Sequence, residues 1–267
     1  MPKFAANLTM LFNEKEFLSR FEAAALAGFQ GVEYLFPYMY PKDQLAALLE
    51  RHGLKQVLFN LPAGDWNKGE RGIACLPDRV SEFREGVEQA LDYAAVLGCT
   101  RLNCLAGVAP PHIAADRCRA TLVDNLRFAA ERLEKQGVRL LVEPINTFDI
   151  PGFYLHHTVQ TLDLFAEVRS GNIFLQYDIY HMQRMEGELA GTIKANLARI
   201  AHMQIADNPG RHEPGTGEIN YPFLFEFIES IGYDGWIGCE YKPRGTTTEG
   251  LGWMHARRGA TASAGNA

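Results

Sequence analysis

Four oxygen-bearing side chains recur along the second half of the sequence, each at or near the end of a short apolar segment. They are Glu143 after Leu-Leu-Val, Asp178 after Leu-Gln-Tyr, Gln204 within His-Met-Gln-Ile, and Glu240 after Ile-Gly-Cys. Successive members are 35, 26 and 36 residues apart, close to the length of one strand–helix unit. Carboxylates transfer protons, and carboxylate and amide oxygens bind hard divalent cations. The set therefore predicts acid–base chemistry beside a metal ion.

Three carboxylates that point into one space repel each other, and each raises the pKa of the others. A divalent cation removes this repulsion, and an all-oxygen set suits Mg²⁺, with Mn²⁺ as the alternative. Any one of these acids could instead face solvent in a loop or pair with a nearby Arg or Lys. Four of them at successive strand ends favour a shared site.

The elements that position these side chains are short β-rich segments that alternate with helical patterns. The predicted strands cover residues 4–9, 31–36, 56–61, 101–106, 139–145, 173–178, 201–206 and 236–241. The predicted helices cover residues 14–27, 42–52, 79–97, 114–136, 158–168, 188–199 and 221–231. Each strand but the last is followed by a helix, which is typical of a parallel α/β protein.

Eight such units predict a closed (β/α)₈ barrel, in which the functional residues lie at the C-terminal ends of the strands. A doubly wound open sheet is the alternative. Its dinucleotide-binding form carries a glycine-rich turn after the first strand, whereas residues 7–12, Asn-Leu-Thr-Met-Leu-Phe, contain no glycine. We therefore expect residues 1–254 to form a single catalytic barrel domain. Residues 255–267, which are rich in small side chains, are predicted to be a disordered tail.

Composition argues against several classes of protein. The chain has 267 residues and a formal net charge of −6, so a nucleic-acid partner is not expected. An apolar run long enough for a membrane span is absent from the sequence, and so is a signal-like start. The cysteine count of five is odd and includes no CxxC pair, which favours a reduced, cytoplasmic protein without a thiolate metal site. Exposed barrel helices leave a homo-oligomer open.

Basic and imidazole side chains close to the predicted strand ends are candidates for binding an acidic substrate. They are Arg71, His181, Arg211, His212 and Lys242. A surface loop charge or a structural histidine is the alternative for each. The long loop 64–72 has the composition of a flap over the barrel mouth. His202, two residues before Gln204, is expected to be a packed core histidine.

Long stretches of the chain resemble the sugar isomerase/epimerase barrels related to xylose isomerase, and within them the hydroxypyruvate isomerase family. The stretches are residues 4–8 (FAANL), 36–38 (FPY), 60–66 (NLPAGDW), 69–75 (GERGIAC), 142–146 (VEPIN), 149–153 (DIPGF), 176–187 (QYDIYHMQRMEG), 204–207 (QIAD), 213–221 (EPGTGEINY) and 238–243 (GCEYKP). The likeness extends over nearly the whole chain to about Trp253.

The resemblance implies that Glu143 and Glu240 are the proton donor and acceptor, and that the four strand-end oxygens hold the metal. It implies a reaction that interconverts hydroxypyruvate and tartronate semialdehyde, so the partner is a small 2-oxo or hydroxy acid. Many relatives in the wider superfamily have histidine where this chain has Gln204. That departure favours Mg²⁺ over softer metals and leaves a strict metal requirement open.

Three alternatives remain at this point. A related isomerase could act on a four-carbon acid such as 2-oxo-tetronate, although residues 60–66 and 144–146 look more like the three-carbon enzyme. A metal phosphodiesterase resembling endonuclease IV would need more histidine ligands and a basic DNA-binding face. A catalytically silent barrel could bind a small acid, although the presence of both glutamates argues against it.

Overall fold

Residues 2–254 are described by the structure, a computed structural model of the chain. Within these residues the eight predicted strands are present, at or near their expected positions. They are β1 (Lys3–Asn7), β2 (Gly31–Glu33), β3 (Lys55–Asn60), β4 (Arg101–Cys104), β5 (Arg139–Val142), β6 (Ile173–Asp178), β7 (Ile200–Ile205) and β8 (Trp236–Cys239). The predicted tail, residues 255–267, lies outside the described residues.

Neighbouring strands pair in parallel all the way around the sheet, and the first strand pairs with the last. The β1–β8 ladder runs from Lys3 opposite Trp236 to Ala6 opposite Cys239 and closes the sheet. The predicted (β/α)₈ barrel is therefore confirmed, and the open-sheet alternative is wrong. In such a barrel the C-terminal ends of all strands surround one mouth.

The helices that follow the strands lie outside the barrel. They are α1 (Arg20–Leu26), α2 (Lys42–His52), α3 (Val80–Leu97), α4 (Ala115–Glu134), α5 (Thr158–Val168), α6 (Ile179–Met185), α7 (Leu189–Asn196) and α8 (Tyr221–Ser230). Helix α1 is shorter than the predicted 14–27. None of α1–α8, which all lie within residues 2–254, is long and apolar enough to cross a membrane.

Helix α6 was not predicted, and it matters because it begins directly at the end of β6. The side chain of Asp178 accepts a hydrogen bond from the backbone N–H of Tyr180 at 2.8 Å and so caps the helix. Seven residues are too few for a helical period to stand out in the sequence. The helix places His181 one turn beyond Asp178.

Seven of the eight strands end one to three residues earlier than predicted, and two of these endings place a candidate acid. Proline has no N–H to continue a ladder, and Pro144 follows Glu143. Strand β5 therefore ends at Val142, and the predicted extent 139–145 was too long. Strand β8 likewise ends at Cys239, one residue before Glu240. Each glutamate thus lies just past its strand, where the backbone is free to turn the carboxylate toward the barrel axis.

The interior of the barrel is apolar toward the N-terminal ends of its strands. A cluster there is formed by Ala5, Val57, Leu58, Leu141 and Ala201, with Phe174 and Trp236 packed against it. Buried polar side chains occupy the strand positions that follow, including Asn7, Asn60 and Asn103. The closed apolar end leaves the opposite mouth as the place where a small molecule can enter.

Candidate active site

The structure brings the four predicted oxygen-bearing side chains together at the barrel mouth, where all of them are buried. Gln204 Nε2 donates to Glu240 Oε2, and the amide of Gln176 links Gln204 to Glu143. Asp178 approaches from the end of β6. Strands β5 to β8 therefore contribute one contiguous cluster of side chains.

A layer of side-chain amides lies beneath the acids and is called here the amide layer. Its members are Asn7, Asn60, Asn103, Gln176 and Gln204, which come from five different strands. Glu143 Oε2 accepts from Asn103 at 3.1 Å and from Gln176 at 2.9 Å, and Glu240 Oε2 accepts from Asn7 at 3.1 Å. Except for Gln204, sequence reasoning missed these residues. Their signal is weak: Asn7 and Asn60 are simply amides in the last position of a strand.

Within residues 2–254, Arg211 is the basic side chain that forms ion pairs with Asp178 and Glu240. Its Nη2 donates to Glu240 Oε1 at 2.6 Å and lies 3.5 Å from Asp178 Oδ2. The side chain is 15% exposed, and its Nε has no hydrogen-bond partner among residues 2–254. The sequence placed Arg211 among several loop charges without separating it from them. A buried guanidinium with a free N–H can bind a substrate oxygen.

The loop that carries Arg211 is held by Asp207. The Asp207 carboxylate accepts hydrogen bonds from five backbone N–H groups, those of Asn208, Gly215, Thr216, Gly217 and Ile219. On the other side, Arg211 O accepts from the backbone N–H of Lys242 at 2.7 Å. These bonds fix the backbone from which the guanidinium reaches Glu240.

Replacing Asp207 with alanine is expected to lower kcat/KM at least about tenfold, because Arg211 loses its fixed position. Of the five backbone N–H groups that lose their acceptor, that of Ile219 is buried, and an unsatisfied buried donor costs about 1–3 kcal/mol. Steady-state kinetics and thermal unfolding measure the two effects. Asp163→Ala, at an exposed position of α5, is the matched control. Normal kinetics in Asp207→Ala would show that the loop does not depend on this carboxylate.

The pKa values of the clustered acids are raised. Burial raises the pKa of Glu143 well above its usual range, and the neighbouring Glu240 and Asp178 carboxylates add to the shift. Burial raises the pKa of Glu240 to about 8, although Arg211 opposes the shift, and it raises that of Asp178 to about 6. Acids with such pKa values can carry or release protons near neutral pH.

His181 lies between the acids and the cavity with its Nε2 3.7 Å from Glu143 Oε1 and 3.5 Å from Asp178 Oδ2. Asn146 Oδ1 accepts two backbone N–H bonds, so its Nδ2 is the atom that faces His181 Nδ1, at 2.6 Å. His181 Nδ1 therefore accepts, and Nε2 carries the proton. Burial, then the Arg211 and Arg184 charges, lower its pKa well below the usual value. A neutral imidazole that donates from Nε2 can stabilise a developing oxyanion.

The other predicted substrate-binding residues do not line the cavity. Arg71 stacks on Trp66, with Cζ 4.1 Å from the ring centroid, and donates to the backbone oxygens of Trp66 and Glu70. His212 Nδ1 lies 2.7 Å from the backbone oxygen of exposed Lys242. Contacts of these three residues with substrate stay a prediction. Their visible contacts support the cavity wall and the loop of Arg211.

The cavity at the barrel mouth has a volume of about 80 Å³ and is lined by Glu143, Glu240, His181 and Arg211. Apolar side chains, among them Trp66, Leu105 and Ile150, form the rest of its wall. Asn60 also lines it, and the Nδ2 of Asn60 has no hydrogen-bond partner among residues 2–254. A small cavity with free donors suits a small, oxygen-rich molecule.

The fold and the site together define a closed (β/α)₈ barrel with two buried glutamates on one mouth cavity. The family described as "Xylose isomerase-like TIM barrel" matches residues 21–257. The chain is 55% identical to the hydroxypyruvate isomerase of Escherichia coli (strain K12), over 97% of this chain and 100% of that protein. Within the xylose isomerase-like class, the chain belongs to the hydroxypyruvate isomerase family, which confirms the resemblance seen in the sequence.

Two further relatives carry different descriptions. The chain is 50% identical to a 2-oxo-tetronate isomerase of Cupriavidus necator, over 95% of this chain and 98% of that protein. A crystal structure described as AP endonuclease, family 2, from Brucella melitensis superposes with a TM-score of 0.94 at 47% identity. It covers 96% of this chain and 99% of that one. The fold is thus shared in full with a solved structure.

Proposed function

We propose that this protein interconverts hydroxypyruvate and tartronate semialdehyde, with Glu143 and Glu240 as the acid–base pair. The observation that carries the proposal is the placement of both carboxyls on one cavity of about 80 Å³ beside Arg211. The raised pKa values of both acids suit groups that exchange protons near neutral pH. The 55% identity to the Escherichia coli enzyme over the whole chain supports the same substrate.

The reaction moves a carbonyl from C2 to C3 of a three-carbon acid. One glutamate removes a proton from C3, and the C–H electron pair forms a C2=C3 double bond while the C2 carbonyl electrons pass to oxygen. The other carboxylic acid then returns a proton to C2. The C3 hydroxyl loses its proton as its oxygen becomes the aldehyde, and the C2 oxygen gains one. Atoms and charge balance without a redox partner.

We assign the binding of the substrate oxygens to three side chains, those of Arg211, His181 and Asn60. The guanidinium of Arg211 suits the substrate carboxylate, because it lines the cavity and keeps a free N–H. The Nε2 proton of His181 and the free Nδ2 of Asn60 can bind the oxygens of the enediolate as its charge develops. Arg71, His212 and Lys242 would act mainly through Trp66 and the loop of Arg211.

A divalent metal, Mg²⁺ or Mn²⁺, is part of the proposal. Glu143, Asp178 and Glu240 are buried in one cluster, and Arg211 forms ion pairs with Asp178 and Glu240, so the donor set has more carboxyl groups than cations. Glu143, Asp178 and Glu240 would hold the ion, and the Gln204 oxygen would join them if its amide turned over. The ion would polarise the substrate oxygens as a Lewis acid.

We expect Mg²⁺ to raise the unfolding temperature more at pH 8 than at pH 6. Protons compete with the ion for raised-pKa carboxylates, and at pH 6 Glu240, with a pKa of about 8, is mostly protonated. Thermal unfolding with Mg²⁺ or with EDTA at both pH values measures the difference. Asp178→Asn is expected to lose the Mg²⁺ effect. Equal unfolding temperatures in Mg²⁺ and EDTA at both pH values would refute the metal proposal.

A four-carbon substrate is the second candidate, and the 50% identity to the Cupriavidus necator 2-oxo-tetronate isomerase favours it. The identity to the hydroxypyruvate isomerase of Escherichia coli is higher, at 55% over 97% of this chain. We therefore place the three-carbon acid first.

Proton NMR of the purified protein in D₂O tests the reaction directly. Hydroxypyruvate is expected to give tartronate semialdehyde with deuterium at C2, because carboxylic acids in the cavity exchange with solvent. 2-Oxo-tetronate under the same conditions is the comparison. Turnover of the four-carbon acid alone would transfer the proposal to that substrate, and turnover of neither would reject both.

A nucleic-acid phosphodiesterase is disfavoured even though the Brucella melitensis structure is described as an AP endonuclease. The net charge of −6 offers no excess of positive charge for DNA. Among residues 2–254, His181 is the imidazole on the cavity, and its partner Asn146 keeps the proton on the Nε2 that faces the acids.

A cytoplasmic location is also proposed, because the five cysteines are free and buried.

A further inference from the structure

Glu33, the last residue of β2, is fully buried and does not line the cavity. Its Oε1 accepts from Asn7 at 3.1 Å and from Gln204 at 2.8 Å, and its Oε2 accepts from His202 at 2.7 Å. Among residues 2–254, no Lys or Arg forms an ion pair with it. A buried carboxylate without such a partner is costly, and an apolar side chain would fill the space at lower cost. Packing alone therefore does not account for Glu33.

Strand β8 makes room for this carboxylate with a glycine. A Cβ at Gly238 would lie 2.2 Å from Glu33 Oε1 and 2.4 Å from Oε2, closer than atoms can approach. Gly238 is opposite Gln204 in the β7–β8 register and two residues before Glu240. The Glu33 carboxylate therefore lies directly below the Gln204–Glu240 contact.

His202 fixes the rotation of the Glu33 carboxylate. Its Nε2 lies 2.7 Å from Glu33 Oε2, and an imidazole N–H at this position donates to the carboxylate oxygen. His202 is fully buried, and its Nδ1 has no hydrogen-bond partner among residues 2–254. The bond to Glu33 is therefore the polar contact through which this histidine acts, and it leaves Glu33 Oε1 facing the amide layer.

Two amide nitrogens bridge Glu33 and Glu240. Asn7 Nδ2 lies 3.1 Å from Glu33 Oε1 and 3.1 Å from Glu240 Oε2, and Gln204 Nε2 donates to the same two oxygens. Glu33 takes one N–H of each amide and so directs the other at Glu240. If the Gln204 amide were turned over, its oxygen would face the carboxylate oxygens of Glu33 and Glu240. Contact between these acceptor oxygens is unfavourable, so Glu33 helps to hold the amide in its present orientation. In the present orientation Gln204 supplies a hydrogen bond to Glu240, and its oxygen would reach a metal only after the amide had turned over.

We propose that Glu33 and His202 are positioning residues that act through Asn7 and Gln204 to fix the carboxylate of Glu240 at the cavity. The inference rests on the proposed proton-transfer role of Glu240. Donors that are already oriented need no rearrangement when the charge on that carboxyl changes, and removing such outer partners commonly lowers activity 10–100-fold.

Kinetics of Glu33→Gln, His202→Leu and His202→Gln test the proposal. Glu33→Gln and His202→Leu are expected to lower kcat by about 10–100-fold with little change in KM, because neither residue touches the cavity. Glutamine at 202 keeps an N–H donor, so it is expected to restore much of the kcat that leucine loses. The control variant is Asn172→Ala, which removes a buried amide before β6, at the opposite end of the barrel. It is expected to lower stability and leave kcat unchanged.

The side-chain NH₂ resonances of Gln204, assigned by their loss in Gln204→Glu, give a readout that needs no turnover. They are expected to shift and to exchange faster with solvent in Glu33→Gln and in His202→Leu. This measurement separates a failure of the positioning role from a failure of the proposed reaction. The proposal would be overturned if the Gln204 resonances were unchanged in both variants. It would also be overturned if both variants kept the wild-type kcat while their unfolding temperature was lowered. His202→Leu retains Glu33 and decides the matter if Glu33→Gln does not fold.

Discussion

Replacing Glu240 with glutamine is expected to lower kcat for hydroxypyruvate by about 10²–10⁴-fold, the contribution typical of a positioned general acid or base. Glutamine preserves the shape of the side chain, and its one amide oxygen can still accept from Arg211 or from Asn7, but it cannot exchange a proton. KM is expected to change less than kcat, because Arg211 and Asn60 remain on the cavity. Glu143→Gln is expected to behave in the same way. Steady-state rates with hydroxypyruvate measure both.

Deuterium exchange separates the roles of the two acids in these variants. If Glu143 is the base toward C3, Glu240→Gln still exchanges the C3 hydrogens of hydroxypyruvate with D₂O while product formation fails, and Glu143→Gln loses the exchange as well. Glu226→Gln, at an exposed position of α8, is the control for the substitution itself. Near-normal turnover in Glu240→Gln would remove this residue from the mechanism.

The loss of Arg211 is the second large effect that we expect. In Arg211→Met the buried Glu240 loses its partner at 2.6 Å, and the substrate carboxylate loses the guanidinium that we assign to it. Truncating one side of a buried charge pair between binding partners costs about 2–5 kcal/mol of binding free energy. The corresponding decrease in kcat/KM is about 30-fold to 4,000-fold at 1.4 kcal/mol per factor of ten. KM is expected to rise, because the substrate carboxylate loses the guanidinium. Arg211→Lys is expected to recover only part of the loss, since an ammonium cannot form a bidentate pair.

Added guanidinium ion gives a specific check on this interpretation. It is expected to restore part of the activity of Arg211→Met and none of the activity of Glu240→Gln. Arg132→Met, which breaks the exposed pair between Arg132 and Glu88, is the control, because such surface pairs contribute little. An unchanged KM in Arg211→Met would show that another group binds the substrate carboxylate.

The fold could be predicted from the sequence because apolar segments and helical periods alternate in local windows. Strand positions such as 173–178 agree with β6 in full. The predicted ends of the strands were less accurate, because a single residue can end a strand. Pro144 is an example, since β5 ends before Glu143. Helix α6 escaped prediction because it owes its start to the Asp178 cap rather than to a long apolar face.

The candidate site could be predicted only in part. The acids were found because each follows its own strand, so their meeting needs no more than the barrel rule. The partners of those acids depend on contacts between distant parts of the chain. Asn7 is 233 positions from Glu240, and Glu33 is 169 from His202. Such pairings depend on barrel register and on single residues such as Gly238, which one sequence does not reveal.

The two halves of the barrel make different contributions to the mouth. Strands β1–β4 provide the neutral donors Asn7, Asn60 and Asn103 and the carboxylate of Glu33, which lies outside the cavity. The second half provides the acids of proton transfer together with His181 and Arg211. Neither half holds all the side chains of the proposed site. The halves meet at two strand pairs, β4–β5 and β1–β8, which are called here the seams. Glu143 follows β5 and Glu240 follows β8, so each acid lies beside one seam. A chain cut between β4 and β5 would therefore be inactive as separate fragments, and recovered activity would report the re-formation of both seams.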